Sequence, residues 1–202
     1  SNADKVKEIK EFFAEYEIYA LGEVLDPFEI DECGTSFKQN ALIKVRAVYE
    51  ALKSKNLQSE FFVLSDDSGI CVDALGGAPG IFSARFSGEG ATDASNRDKL
   101  ASELRALNLD SSPAHYTAAI ALKCALGEFC THGFMHGTAI TQQRGQNGFG
   151  YDFMFIPRGF DRTIGELPAA VKFKISHRTK GLVLMQILLK NLEKQMRLAK
   201  FH

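Results

Sequence analysis

Ser65-Asp66-Asp67-Ser68-Gly69-Ile70 directly follows an apolar run over residues 61–64, and Gly76-Gly77-Ala78-Pro79-Gly80 and Ser83-Ala84-Arg85 come next. The apolar run has the composition of a buried strand, so two acids and a hydroxyl arrive at its carboxyl end, where α/β sheets present their chemistry. Neighbours on extended backbone point to opposite faces, so Asp66 and Asp67 are expected to serve different surroundings, one binding or activating while the other supports. Carboxylate oxygens in this arrangement suit Mg²⁺, which is held by one or two carboxylates together with substrate phosphates. The same acids also read as a solvated turn after a strand. Gly76, Gly77 and Gly80 allow positive φ or close approach of the backbone to a ligand, although a glycine-rich loop is often only a tight turn.

Composition sets the frame around this stretch. The chain has 202 residues, 45% apolar and 24% charged, which suits one ordinary domain with a real core, or two tightly joined lobes. No apolar run approaches the roughly 20 residues of a membrane-spanning helix, so no membrane segment is expected. The formal net charge of -1 offers no basic field for nucleic acid, and a polyanionic ligand must be met by local cations. Cys33, Cys71, Cys124 and Cys130 lack C-x-x-C spacing. They read as thiols of a reduced compartment, filling core space as small apolar groups.

The remaining pattern alternates helices and strands, then gives a hairpin. Residues 5–16 place Val6, Ile9, Phe12 and Phe13 at helical spacing. Residues 18–21 form a strand candidate, and a loop runs from Asp26-Pro27 to Gly34. Thr35 or Ser36 caps a second helix, and Thr92 or Asp93 caps a third over residues 93–107. Pro113 is expected to end the loop that follows. Residues 116–126 and 128–140 are expected to form an antiparallel hairpin turning near Gly127, and residues 153–156 another strand. A helix over residues 179–200 carries Leu182, Met185, Leu188, Leu189, Leu192 and Met196 as one apolar stripe for the core or a dimer contact. This pattern is α/β with a mixed sheet.

Two further clusters carry candidate chemistry. Asn147-Gly148-Phe149-Gly150-Tyr151-Asp152 flanks an aromatic and an acid with glycines, a platform able to stack a planar ring while a carboxylate accepts from its N–H groups. It also fits a plain strand entry. Lys172-Phe173-Lys174-Ile175-Ser176-His177-Arg178 packs cations and hydroxyls before the last helix, able to grip a phosphate or a carbonyl-bearing base. A solvated basic loop is the alternative.

Taken in order with Ser36-Phe37-Lys38-Gln39-Asn40-Ala41-Leu42-Ile43-Lys44 and Glu166-Leu167, these segments resemble the inosine triphosphate pyrophosphatase family, whose members hydrolyse nonstandard purine nucleoside triphosphates. The resemblance covers nearly the whole chain. It implies a single domain over residues 1–202 with an elongated mixed sheet, flanking helices, two lobes around a nucleotide cleft, and a homodimer in the cytoplasm. The implied reaction cleaves inosine, deoxyinosine or xanthosine triphosphate (ITP, dITP, XTP) to the monophosphate and pyrophosphate with Mg²⁺.

The resemblance also implies site residues. Asp67 matches the catalytic acid, expected to bind Mg²⁺ and act as general base on water. Asp31 or Glu32 matches a second metal ligand. Asn2, Lys5 and Lys44 match phosphate-side residues, and Ser68 lies on the substrate side. Phe149, Gly150, Tyr151 and Asp152 match the base-binding segment, while Lys172, His177 and Arg178 match the residues that recognise the purine. His177 and Arg178 are the donors expected at the 6-keto oxygen, which favours inosine over adenine because leaving a buried donor unpaired costs about 1–3 kcal/mol.

Two departures from the family pattern matter. Phe153 stands where a proline usually follows Phe-Gly-Tyr-Asp, and a local backbone difference is expected there. Family members open with an apolar strand running into Thr-x-Asn-x-x-Lys-x-x-Glu, whereas this sequence begins inside that loop, with Asn2, Lys5 and Glu8 in register. The first strand is therefore expected to be missing and the loop to be less firmly anchored, with reduced activity or stability, whether Ser1-Asn2-Ala3 is native or a vector scar. Two rival functions fit the residues: a Maf-like pyrophosphatase of other nucleotide specificity, and a nucleotide-binding module that does not hydrolyse.

Overall fold

The computed structural model describes residues 2–26 and 28–199; Ser1, Pro27, Lys200, Phe201 and His202 lie outside the described residues. The chain divides into two compact units. One is Ser1–Asp67, Ala119–His132 and Arg178–His202; the other is Ser68–Ala118 and Gly133–His177. Helices α1 (Ala3–Phe12), α2 (Leu21–Val24), α3 (Phe37–Ser54), α4 (Asp93–Ala106), α5 (Ala169–Ile175) and α6 (His177–Ala199) accompany strands β1 (Val63–Val72), β2 (Ser111–Cys124), β3 (Gly127–Ile140) and β4 (Phe155–Pro157). The strands form one sheet in the order β1-β2-β3-β4, giving the mixed α/β architecture expected from the alternating pattern.

Local chemistry explains most of these boundaries. Ser36 caps α3 by accepting from the Gln39 N–H, and Thr92 caps α4 by accepting from the Ser95 N–H. Two residues join β2 to β3, which permits only an antiparallel pairing, and Gly127 at φ +136° supplies the turn conformation. β4 also pairs antiparallel with β3, Ala139 opposite Phe155. Ala118, Ala119, Ile120, Ala121 and Leu122 of β2 are fully buried, as expected for a central strand covered on both faces.

Each unit has its own core. In the first, Leu25, Ala41, Val45, Leu52, Val63, Ala119 and Ala121 pack together. Leu182, Met185, Leu189 and Leu192 of the α6 stripe are buried, whereas Leu188 and Met196 are only partly so. In the second, Ile70, Val72, Leu100, Leu104, Tyr116, Met154, Phe155 and Ile164 form the centre.

Several expectations are corrected. β1 does not stop before the acids: it runs through Asp66 and Asp67 to Val72. Residues 18–21 form no strand, because the Glu23 carboxylate takes the Ala20 N–H and starts the short helix α2 at Leu21. Pro113 lies inside β2 instead of closing the loop before it; near a strand's start a missing donor is tolerated. Residues 152–154 form a 3₁₀ turn, so β4 begins only at Phe155. Of the cysteines only Cys124 is buried; Cys71 and Cys130 are half-buried and Cys33 is exposed, so the core-filler expectation holds at one position. Among the described residues, no helix is long and apolar enough to cross a membrane.

Candidate active site

In the first unit, Lys44 joins two acids. Its Nζ lies 2.9 Å from Asp67 Oδ1 and 2.9 Å from Glu32 Oε2. The geometry follows from the start of α3. Asn40, fully buried, accepts from the Gly34 N–H at 2.9 Å and pins the preceding loop against the helix. A Cβ on Gly34 would lie 2.5 Å from Asn40 Oδ1, so only glycine permits the approach. The loop then carries Glu32 to Lys44, one turn beyond Asn40, while Asp31 stays exposed. Ser65 Oγ donates to the Ala41 carbonyl at 2.7 Å, tying β1 to the same turn of α3.

Asp67 is 7% exposed, and its second oxygen, Oδ2, is buried without a hydrogen-bond partner among the described residues. Burial pushes the Asp67 carboxyl above its ordinary range, and the charge of Lys44 only partly offsets this. Burial also works against the Lys44 ammonium, yet Asp67 and Glu32 outweigh it and hold the lysine firmly protonated.

Asp66 faces a different set of partners, as the alternation of a strand requires. Lys5 Nζ lies 2.6 Å from its Oδ1, and Arg178 Nε donates to its Oδ2 at 2.9 Å. Burial would raise the Asp66 pKa, but Arg178 and Lys5 overcome it and hold the carboxyl well below the carboxylate range. Arg178 also donates through Nη1 to Glu8. Lys5 and Glu8 stand one turn apart on α1, and Asn2 caps that helix by accepting from the Lys5 N–H at 3.0 Å. The Asn2 side chain thus serves the helix terminus, and the Arg178 guanidinium is committed to two acids.

The second unit holds the aromatic platform. Asp152, 4% exposed, accepts through Oδ2 from the Phe149 N–H at 3.0 Å and from Lys172 Nζ at 2.8 Å. The same ammonium lies 4.2 Å from the centroid of the Phe149 ring. Gly148, at φ +89°, makes room for this carboxylate, since a Cβ there would lie 2.2 Å from Asp152 Oδ2. Gly150 follows at φ +59°. Tyr151 is buried, its hydroxyl donating to the Ser83 carbonyl at 2.8 Å. Burial raises its pKa far above the ordinary phenol range. Ser83 Oγ accepts from the Ile70 N–H at 3.0 Å and donates to the Gly80 carbonyl at 2.6 Å, which folds the glycine-rich loop back on β1. His177 stacks on Tyr116, ring centroids 4.6 Å apart and 12° between planes. Ser68 is half-buried in β1.

The expected residues therefore fall into three groups: Glu32, Lys44 and Asp67; Lys5 and Arg178 around Asp66, with Asn2 capping the helix that carries Lys5; and Phe149, Asp152 and Lys172, with Tyr151 on Ser83 and His177 on Tyr116. The pairing of Asp66 with Arg178 came from no local motif. Glu8 had a signal, its spacing of three from Lys5. Ser83, which organises the glycine loop, had one in the Ser83-Ala84-Arg85 run.

The donor set suits a hard divalent cation. Asp67 Oδ2 is an unsatisfied buried oxygen beside a second carboxylate, and Mg²⁺ needs few protein ligands because phosphates and waters complete its shell. No cluster of three or more histidine, cysteine or acidic side chains able to hold a metal occurs among the described residues.

The profile of the Ham1 family matches residues 1–187. The chain belongs to the Ham1 family. Relatives agree over nearly the full length. The dITP/XTP pyrophosphatase of Campylobacter hominis is 63% identical over 197 residues, covering 96% of both chains. That of Campylobacter fetus is 62% identical over 194 residues, covering 96% of this chain and 95% of the relative. Among solved structures, the Ham1 protein of Staphylococcus aureus superposes with a TM-score of 0.81 at 32% identity, 95% of each chain covered. A Ham1 protein from Coxiella burnetii gives a TM-score of 0.81 at 34% identity, also with 95% of each chain covered.

Proposed function

We propose that this Ham1 chain hydrolyses the triphosphates of inosine, deoxyinosine and xanthosine to the monophosphate and pyrophosphate, with residues 1–202 acting as one catalytic domain in a cytoplasmic homodimer. The observation that carries the reading is Asp67: a buried carboxylate with one oxygen on Lys44 and the other unsatisfied, in a chain whose relatives bear the name dITP/XTP pyrophosphatase.

Lys44 and Lys5 place two ammonium groups where triphosphate charge must be neutralised. Asp67 accepts the proton of the attacking water through a carboxylate that Lys44 holds by Oδ1 alone. Asp67 and Glu32 would hold Mg²⁺, which when bound supplies further neutralisation of phosphate charge. Phe149 offers a ring to stack on, and Lys172 and His177 are the donors for a 6-keto oxygen. Arg178 is held by Asp66 and Glu8 and keeps further N–H donors for the base.

Incubation with ITP and Mg²⁺ tests the proposal. Inosine monophosphate and pyrophosphate should appear in equal amounts, stop on chelation with EDTA, and resume when Mg²⁺ is restored. Release of orthophosphate, or no hydrolysis at all, would overturn it.

A further inference from the structure

Gly150 is held by α4 at both of its backbone polar groups. Its N–H donates to Asp93 Oδ2 at 2.8 Å, and its carbonyl accepts from Arg97 Nη1 at 2.9 Å. Asp93 is the first residue of α4 and Arg97 stands one turn later on the same face. Gly150 sits at φ +59°, a conformation glycine reaches without steric cost but one that it also leaves easily. Two side-chain hydrogen bonds from a regular helix remove that freedom.

The arginine is itself fixed. Its Nε donates to Gln143 Oε1 at 2.7 Å, and Gln143 Nε2 donates to Asp98 Oδ1 at 3.0 Å, back on α4. Its guanidinium carbon lies 4.7 Å from the centroid of the Phe153 ring, at the residue that departs from the family pattern. Nε and Nη1 of this group therefore each point to a defined partner, and the planar fork transmits the position of α4 to the loop.

Phe149 lies between two left-handed glycines. Gly148 is set by the packing of Asp152, and Gly150 is set by α4. With both flanking peptides oriented, the Phe149 ring keeps its place under Lys172. We propose that Asp93 and Arg97 are positioning residues for the base platform, acting through Gly150 without touching the nucleotide. The proposal rests on the reading of Phe149 as the ring on which the base stacks.

The consequence is a defect in nucleotide affinity and not in the chemical step. Asp93→Ala and Arg97→Ala should each raise KM for ITP roughly five- to tenfold, the worth of one lost hydrogen bond to a binding loop, and leave kcat within about twofold. Asp93→Asn retains an oxygen acceptor for the Gly150 N–H and should restore KM to the wild-type value. A purely structural loss would instead reduce the amount of active enzyme, lowering apparent kcat and the thermal midpoint with KM unmoved.

Phe149→Ala in the same assay separates this proposal from the reading beneath it. If Phe149→Ala raises KM but neither α4 alanine variant does, the base platform stands and the clamp is overturned. If Phe149→Ala leaves KM unchanged, the stacking role falls and the clamp falls with it. Failure of Asp93→Asn to restore KM would also overturn the clamp, because the hydrogen bond would then not be what Asp93 supplies.

Discussion

Lys44 holds Asp67 by one carboxylate oxygen, Nζ to Oδ1 at 2.9 Å, and leaves Oδ2 buried without a hydrogen-bond partner among the described residues. An unsatisfied buried carboxylate oxygen costs stability, so this acid is arranged for something other than folding. Asp67→Asn keeps the shape and can still accept from Lys44, but it removes the base. Turnover of ITP should fall by at least about 100-fold while ITP still binds in an isothermal titration. Retained turnover would remove Asp67 from the catalytic role.

The Arg178 side chain, paired with Asp66 and Glu8, is 2% exposed as a residue. Arg178→Met would leave a buried acid with one cation fewer, a change that costs about 3–5 kcal/mol when one partner of a buried pair is lost. Urea unfolding should show the midpoint falling without a change in slope. A loss under about 1 kcal/mol would mean that water readily replaces the guanidinium.

The same network gives stability a pH dependence. The Asp66 carboxyl is held low in the folded chain, against burial, by Arg178 and Lys5. A group with a depressed folded pKa stabilises fully above its unfolded value, about 3.9 for aspartate, and loses that contribution as pH falls below it. The thermal midpoint should therefore drop on acidification below about pH 4, and more steeply than in Asp66→Asn, which has no such proton to gain. Parallel curves for the two proteins would contradict the assignment.

Gly69 lies in β1 where the glycine-rich loop folds back. A Cβ there would meet Ser83 Oγ at 2.3 Å and the Gly80 carbonyl at 2.5 Å. Gly69→Ala must push this loop away, at about 1–3 kcal/mol of overpacking. Differential scanning calorimetry should show the loss; an unchanged midpoint would show that the loop yields freely.

Much of this arrangement was legible because it is local. The capping hydroxyls of α3 and α4, the turn at Gly127 and the opposite faces of Asp66 and Asp67 all follow from neighbouring residues. The length of β1 was not legible. A Ser-Asp-Asp-Ser run looks like a solvated strand end, and it stays inside the sheet only because Lys5, Lys44 and Arg178, distant in sequence, neutralise its acids. Residues 18–21 misled for a related reason: their apolar character suggested a strand, while the carboxylate of Glu23 decided the matter at the Ala20 N–H. That Glu32 and not Asp31 reaches Lys44 goes with the way Asn40 pins Gly34, which no local pattern displays. The commitment of Arg178 to Asp66 and Glu8 is likewise a long-range fact.

The most direct measurement is kcat/KM for pyrophosphate release from ITP, dITP and XTP against ATP, GTP and UTP under one set of conditions with Mg²⁺. If Lys172, His177 and Arg178 donate to a 6-keto oxygen and the Phe149 ring stacks on the base, ITP, dITP and XTP should exceed ATP by at least about tenfold, the worth of one unpaired buried donor. Equal efficiencies across the six nucleotides, or a preference for UTP, would contradict the account.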